Sequence, residues 1–194
     1  MKSRWIDKKR LSQCFFTLAR LNKLFFQYYA SEKSEVELSA HLKKMNQTRR
    51  RFFKIITKTR RLTLSSPYSN VLRLLENIYE LVFSLHLFRF RMKDFNLFSI
   101  CARELLAIEQ ASTKILLNIA MGIFYRKKLQ TTDHFFETIQ ALESLFQHTL
   151  KVIVPQPVVF IIFIHDLYTL QEKLTLTKNM LCPVLSQMPD ALNS

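Results

Sequence analysis

HFFE at 134–137 sets His134 and Glu137 three residues apart, on one face if the segment is helical. Helical bundles that hold two metal ions present carboxylate and imidazole at this spacing, but they draw further Glu side chains from several helices. No second such motif accompanies the pair. The remaining histidines, His41, His86, His148 and His165, include no two at i, i+4, and no Cys lies near them at a zinc spacing. Surface or capping roles are therefore expected, and no metal. His165 beside Asp166 reads as a polar pair. Nucleophilic catalysis needs a Ser or Cys held by a base, with an oxyanion donor in place. No GxSxG elbow occurs, and Cys101, in SICARELL, suits apolar packing in mid-helix. Glu104 and Glu109 stand five apart and do not converge. Phosphate-cradling and dinucleotide fingerprints are absent, so a non-enzymatic chain without a cofactor is expected.

The strongest chemical signal is charge. MNQTRRRFFKIITKTRR at 45–61 carries seven basic side chains and no acid, interleaved with Phe52, Phe53, Ile55 and Ile56. At 100° per residue those cations cannot share one face. Phe52, Ile55, Ile56 and Phe53 take the core-facing arc and leave charge on both flanks. An anionic surface suits such flanks, and Lys43, Lys44, Arg49, Arg50, Arg51, Lys54, Lys58, Arg60 and Arg61 are the expected contact residues. Nucleic acid would also attract clustered Lys and Arg. That reading ranks lower, because the Phe side chains fall on the buried arc and do not stand out as stacking platforms. No helix-turn-helix, zinc-finger or RNA-recognition signature occurs.

The whole chain of 194 residues carries a net charge of +14, very unevenly distributed. Residues 1–64 hold 17 basic and four acidic groups, whereas 65–194 hold 12 and 11. That asymmetry points to an acidic partner or anionic surface facing the N-terminal helices. An apolar share of 48% argues against disorder. A single glycine, Gly122, counts against tight-turned sheets and glycine-rich phosphate loops. The fold class expected is all-α.

Apolar periodicity places the elements. A first helix over 6–30 carries Phe15, Leu18, Leu21, Phe25 and Tyr28. Ser34 with Glu37 forms a capping-box pattern that starts a second, running to about 64 through Val36, Leu38, Leu42, Met45, Phe52 and Ile56. After Pro67 a third carries Val71, Leu75, Ile78, Leu81, Val82 and Leu85 towards Met92. Asp94 could cap a fourth over 95–125, and a continuous bend from the third reads equally well. RKKLQTTDH is a polar break. A fifth over 133–153 shows Phe135, Ile139, Leu142, Phe146 and Leu150. The sixth, 158–180, opens as VVFIIFI and continues through Leu167, Leu170 and Leu174. These make one bundle of about six helices in αα-hairpins over 1–182, with an irregular tail at 183–194. No internal repeat is present.

Cys14, Cys101 and Cys182 are odd in number and form no CxxC, which fits reduced thiols in a cytosol-like compartment. The charged start MKSRWIDKKR does not resemble a signal peptide. VIVPQPVVFIIFIH at 152–165 is the longest uncharged run, and Pro155 and Pro157 interrupt it well short of the ~20 apolar residues of a membrane span. A soluble or peripheral protein is expected. The 17 Phe residues, many in pairs, exceed what one seam buries. A docking or self-association surface is expected in consequence, with Phe160, Ile161, Phe163 and Ile164 as the protein contact.

LSQCFFTLARLNKLFFQYYASE at 11–32 resembles a segment of fusaric-acid-resistance-like (FUSC) inner-membrane proteins, relatives of bacterial aromatic-acid exporters. Leu11, Cys14, Phe15, Leu18, Ala19, Phe25 and Phe26 carry the likeness. LFRFRMKDFNLFSICARELLAIEQ at 87–110 resembles that family's Phe-Arg helix and the step after it, and DHFFETIQALESL at 133–145 its HFE-type helix. The resemblance runs in order over about 11–175. It implies a cytoplasmic helical domain beneath membrane helices, associated with export of aromatic acids or related organic anions. Those membrane helices have no counterpart here, so transport by this chain alone is not implied; a split subunit, a remnant or an excised domain would each fit. The expected partners are then an anionic membrane surface or a multi-span inner-membrane protein, and self-association. The expected location is cytoplasmic, peripheral to the inner membrane. A basic nucleic-acid-binding protein and a secreted bacterial effector are the alternatives.

Overall fold

The computed structural model describes residues 2–29, 34–63, 68–92, 101–125, 129, 134–148 and 157–186. Six helices make up these residues: α1 Lys2–Tyr29, α2 Glu35–Thr63, α3 Ser69–Met92, α4 Ala102–Tyr125, α5 His134–His148 and α6 Pro157–Ser186. No strand occurs among the described residues. The all-α bundle expected from the sequence is what forms. None of the described helices is long and apolar enough to cross a membrane. The Asp94 cap, the breaks around Pro67, 126–128, 130–133 and Pro155, and residues 187–194 lie outside the described residues.

The apolar stripes do the folding. Phe15, Leu18, Leu21 and Phe25 of α1 are buried, as are Phe135, Ile139, Leu142 and Phe146 of α5, and Leu167, Leu170 and Leu174 of α6. The side chains of Tyr28 and Leu150 lie outside the described set. The buried side chains join in one cluster fed by all six helices. Fully burying one such side chain is worth about 1.5–3 kcal/mol, so the cluster is the main source of stability.

Helix α1 is the axis of the arrangement. It packs most extensively on α4, then on α2, and also meets α3. The pairing of α1 with α2 is antiparallel: His41 Nε2 donates to the Leu24 carbonyl at 2.8 Å near one end, and Cys14 Sγ lies 3.9 Å from Thr59 Oγ1 near the other. The α1–α4 pair is antiparallel too. Ser12 donates to the Ala120 carbonyl (2.8 Å), and Asn22 Nδ2 donates to the Ser112 and Thr113 hydroxyls, each at 2.9 Å. Small side chains at Ser12, Ala19, Ser112 and Ala120, all buried, suit a close approach of these two helices. Helix α6 covers α3, α4 and α5. Ser84 donates to Asp166 (2.9 Å) across α3–α6, and Tyr168 donates to Glu143 (2.6 Å) across α5–α6. Asp166 therefore links α3 and α6.

Local signals decide the ends. Ser34 N–H donates to Glu37 Oε2 (3.0 Å) while Glu37 N–H reaches back to Ser34 Oγ at 3.4 Å, the reciprocal capping box that opens α2. Pro157 occupies the first position of α6, where its missing N–H costs nothing. The same helix departs from expectation at its other end. It runs through Pro183 to Ser186 and does not turn irregular at 183. The proline removes one hydrogen bond from the last turn, yet Leu181 and Leu185 continue the buried stripe and anchor that turn against the core.

Candidate anion-binding surface

All nine predicted cations of α2 are exposed or half-exposed, and the packing of the helix sorts them into three sets. Phe52 is fully buried and marks the inward direction. Lys43, Arg50 and Arg61 stand about 160–180° from it, facing straight outward. Lys44, Arg51, Lys54 and Lys58 lie on the flank beside α1, where they line clefts between the two helices. Arg49 and Arg60 lie on the opposite flank, beside α3. Arg60 pairs with Glu76, and the Arg49 guanidinium sits 4.9 Å from the centre of the Phe83 ring and 5.9 Å from that of Phe53. Arg49 and Arg60 are thus engaged with α3 or with ring faces and face away from the α1–α2 cleft.

Phe53 also departs from expectation. It is 42% exposed and packs edge-on against Tyr79 (4.9 Å) under Arg49, because it lies about 100° around the helix from Phe52. Val36, placed on the core stripe by periodicity, is 79% exposed in the first turn of α2.

Helix α1 supplies what periodicity in α2 could not reveal. Two adjoining clefts of about 360 and 400 Å³ run between the helices. Arg10, Gln13, Arg51, Lys54, Ile55 and Lys58 line one; Phe16, Thr17, Arg20, Lys44, Gln47, Thr48 and Arg51 line the other. Arg51 belongs to both and joins them into a single groove. Among the described residues its walls carry six cations and no acidic side chain. The antiparallel register produces this: α1 runs from Arg10 to Arg20 as α2 runs back from Lys58 to Lys44. No acid occurs anywhere in 8–29 or 38–63. Lys44, Arg51 and Lys58 recur every seven residues, so their charges repeat about every 10 Å over roughly 21 Å of helix.

The apolar opening of α6 does not form the predicted protein contact as a unit. Phe160, Phe163 and Ile164 are buried in the chain's own core, Phe160 stacking on Phe146 at 4.3 Å, so those three side chains have no surface to offer. Ile161 is exposed, together with Val158 and Ile162. The helix buries one side of an apolar run that periodicity reads as buried all round.

His134 Nδ1 lies 3.1 Å from Glu137 Oε2 on an exposed surface, and no three His, Cys, Asp or Glu side chains gather around a metal position among the described residues. Cys14 and Cys101 are buried and Cys182 half-buried; all three are unbridged. Burial pushes the Cys14 thiol up to about 12 and the Cys101 thiol to about 11, far from a reactive thiolate. Cys101 stands just ahead of α4 and not within it, its carbonyl accepting from Leu105 N–H at 2.9 Å. Glu109 is buried against α1 and accepts from Thr113 (3.0 Å), which stands beside Asn22. Comparison with family models, with curated proteins and with solved structures finds no match to this chain.

Proposed function

We propose that this chain is a non-enzymatic interaction module that seats its α1–α2 hairpin on an anionic membrane face. This is the role that its resemblance to the cytoplasmic helical part of FUSC-type inner-membrane proteins implies. One observation carries the reading: two antiparallel helices present cations along a shared face, and neither contributes an acid between residues 8 and 29 or between 38 and 63. A basic side chain held near an anionic leaflet contributes about 1 kcal/mol, and several together suffice for peripheral binding. Lys43, Lys44, Arg50, Arg51, Lys54, Lys58 and Arg61 of α2, with Arg10 and Arg20 of α1, are the residues that would act. Nucleic acid fits less well: Phe16, half-buried, is the one aromatic among the described residues that line the groove, and base stacking needs exposed rings.

Co-sedimentation with vesicles tests this. Vesicles containing phosphatidylserine should retain the protein, purely zwitterionic ones should not, and retention should fall as salt shortens the screening length below ~8 Å. Equal retention on both vesicle types, or none on either, would refute the proposal.

A further inference from the structure

The geometry points to a discrete binding site within that face: the α1–α2 groove takes a compact ligand bearing two or more phosphate groups, with Arg51 bridging them. This rests on the anionic-surface reading but asks more of it. A diffuse cationic face attracts any negative surface in proportion to charge, whereas a groove whose walls carry cations and side-chain amides at fixed places selects by shape.

Four features favour selection. Arg51 is shared by both clefts, and a planar guanidinium can offer two parallel N–H donors to one phosphate while its other edge serves a second. Each cleft adds its own cations, Arg10, Lys54 and Lys58 on one side and Arg20 and Lys44 on the other, so two phosphates can be held at once. Each also has a side-chain amide in its wall, Gln13 or Gln47, to donate to a phosphate oxygen or ring hydroxyl. The cleft volumes of about 360 and 400 Å³ fall in the range of roughly 300–1,000 Å³ typical of small-ligand sites. A flat bilayer of singly charged headgroups would leave the groove unfilled. A headgroup with clustered phosphates would enter it.

The ligand could be a free sugar phosphate or the headgroup of a lipid, and the chemistry at the groove is the same. Titration calorimetry with inositol hexakisphosphate probes the free form; vesicles carrying a bisphosphorylated phosphoinositide probe the lipid form; vesicles with phosphatidylserine alone supply the unselective surface. Arg51→Gln is compared with Arg50→Gln, an adjacent exposed cation facing outward, so that both variants lose the same charge. Thermal melts of the two variants should match the parent, since neither side chain is buried.

Saturable one-to-one binding of inositol hexakisphosphate is expected. Arg51→Gln should weaken it roughly tenfold or more, as loss of a charge-assisted contact does, and Arg50→Gln by about twofold or less. Equal weakening by both variants, or no saturable binding, overturns the site. If phosphatidylserine vesicles still bind in that case, the membrane reading stands without it. If inositol hexakisphosphate binds but no vesicle does, the site stands and the membrane reading falls. Displacement of inositol hexakisphosphate by a single-stranded oligonucleotide at lower concentration, through the same Arg51, would overturn the assigned ligand class.

Discussion

Replacing Cys14 with alanine should let this fold tolerate alkali better than the parent chain does. Cys14 is fully enclosed between α1 and α2, and burial raises its thiol from 9.0 to about 12, with the Thr59 contact opposing and the Glu76 charge assisting. The folded value lies above the unfolded one. Below about pH 9 both states keep the proton, and the thiol exerts no pH dependence. Above it the unfolded chain releases the proton while the native state holds it, so stability is lost as pH rises towards 12. Each pH unit above the unfolded value adds about 1.36 kcal/mol, so at about pH 11 the difference amounts to roughly 3 kcal/mol. For a chain of this size that is about 6–12 °C in melting temperature. Alanine cannot ionise. At neutral pH the variant should melt slightly below the parent, because it loses the packing of one sulfur, about 1 kcal/mol. By about pH 11 the order should reverse. Lysines and tyrosines titrate in both proteins and cancel in the comparison. Thermal melts followed by circular dichroism at the two pH values measure the gap directly. A gap that stays constant would mean that Cys14 is open to solvent and that the α1–α2 interface is not packed as described. Labelling by a maleimide gives an independent check: half-buried Cys182 should react with the native protein long before Cys14 does.

Arg49→Ala should lower stability by about 1 kcal/mol through loss of its two ring contacts, yet leave vesicle retention unchanged; a drop in retention would place Arg49 on the binding face after all. Phe52→Ala removes a fully buried ring from the centre of the α2 stripe and should cost about 3–5 kcal/mol in a urea titration. A cost below ~1 kcal/mol would show that α2 is loosely held. Asn22→Ala deletes one buried and one part-buried hydrogen bond, worth about 1 kcal/mol each, and opens a small cavity between α1 and α4. A total of about 2–4 kcal/mol is expected by the same titration, and an unchanged midpoint would mean that the polar junction holds nothing together.

Much of the fold could be read from spacing alone. Phe15, Leu18, Leu21 and Phe25 marked one helix face correctly, and the Ser34–Glu37 pair located a helix start to the residue, because both signals depend only on neighbours within one turn. What escaped depended on partners distant in sequence. Ser12 and Asn22 are polar but buried, since their acceptors lie on α4, some 90 to 108 residues away. Val36 has apolar character without burial, standing 79% exposed in the first turn of α2. The cationic surface shows the same division. The charge of α2 was plain, but which flank lines the cleft with α1 and which flank braces α3 was decided by where α1 and α3 settle. Arg10 and Arg20 entered the groove through the antiparallel register, for which no single helix carries a signal. In α6, VVFIIFI has no polar residue to mark its outer side, so Phe160 and Ile161 could not be told apart before packing separated them.

The central position of α1 sets a timetable for biosynthesis. Helix α1 is made before α4 and finds in it its largest neighbour only after about residue 125 has been joined, so until then that flank has no cover. A segment synthesised well before its main partner thus waits for enclosure. At roughly 5–20 residues per second that interval lasts several seconds, long enough for a chaperone to matter to the yield of folded protein.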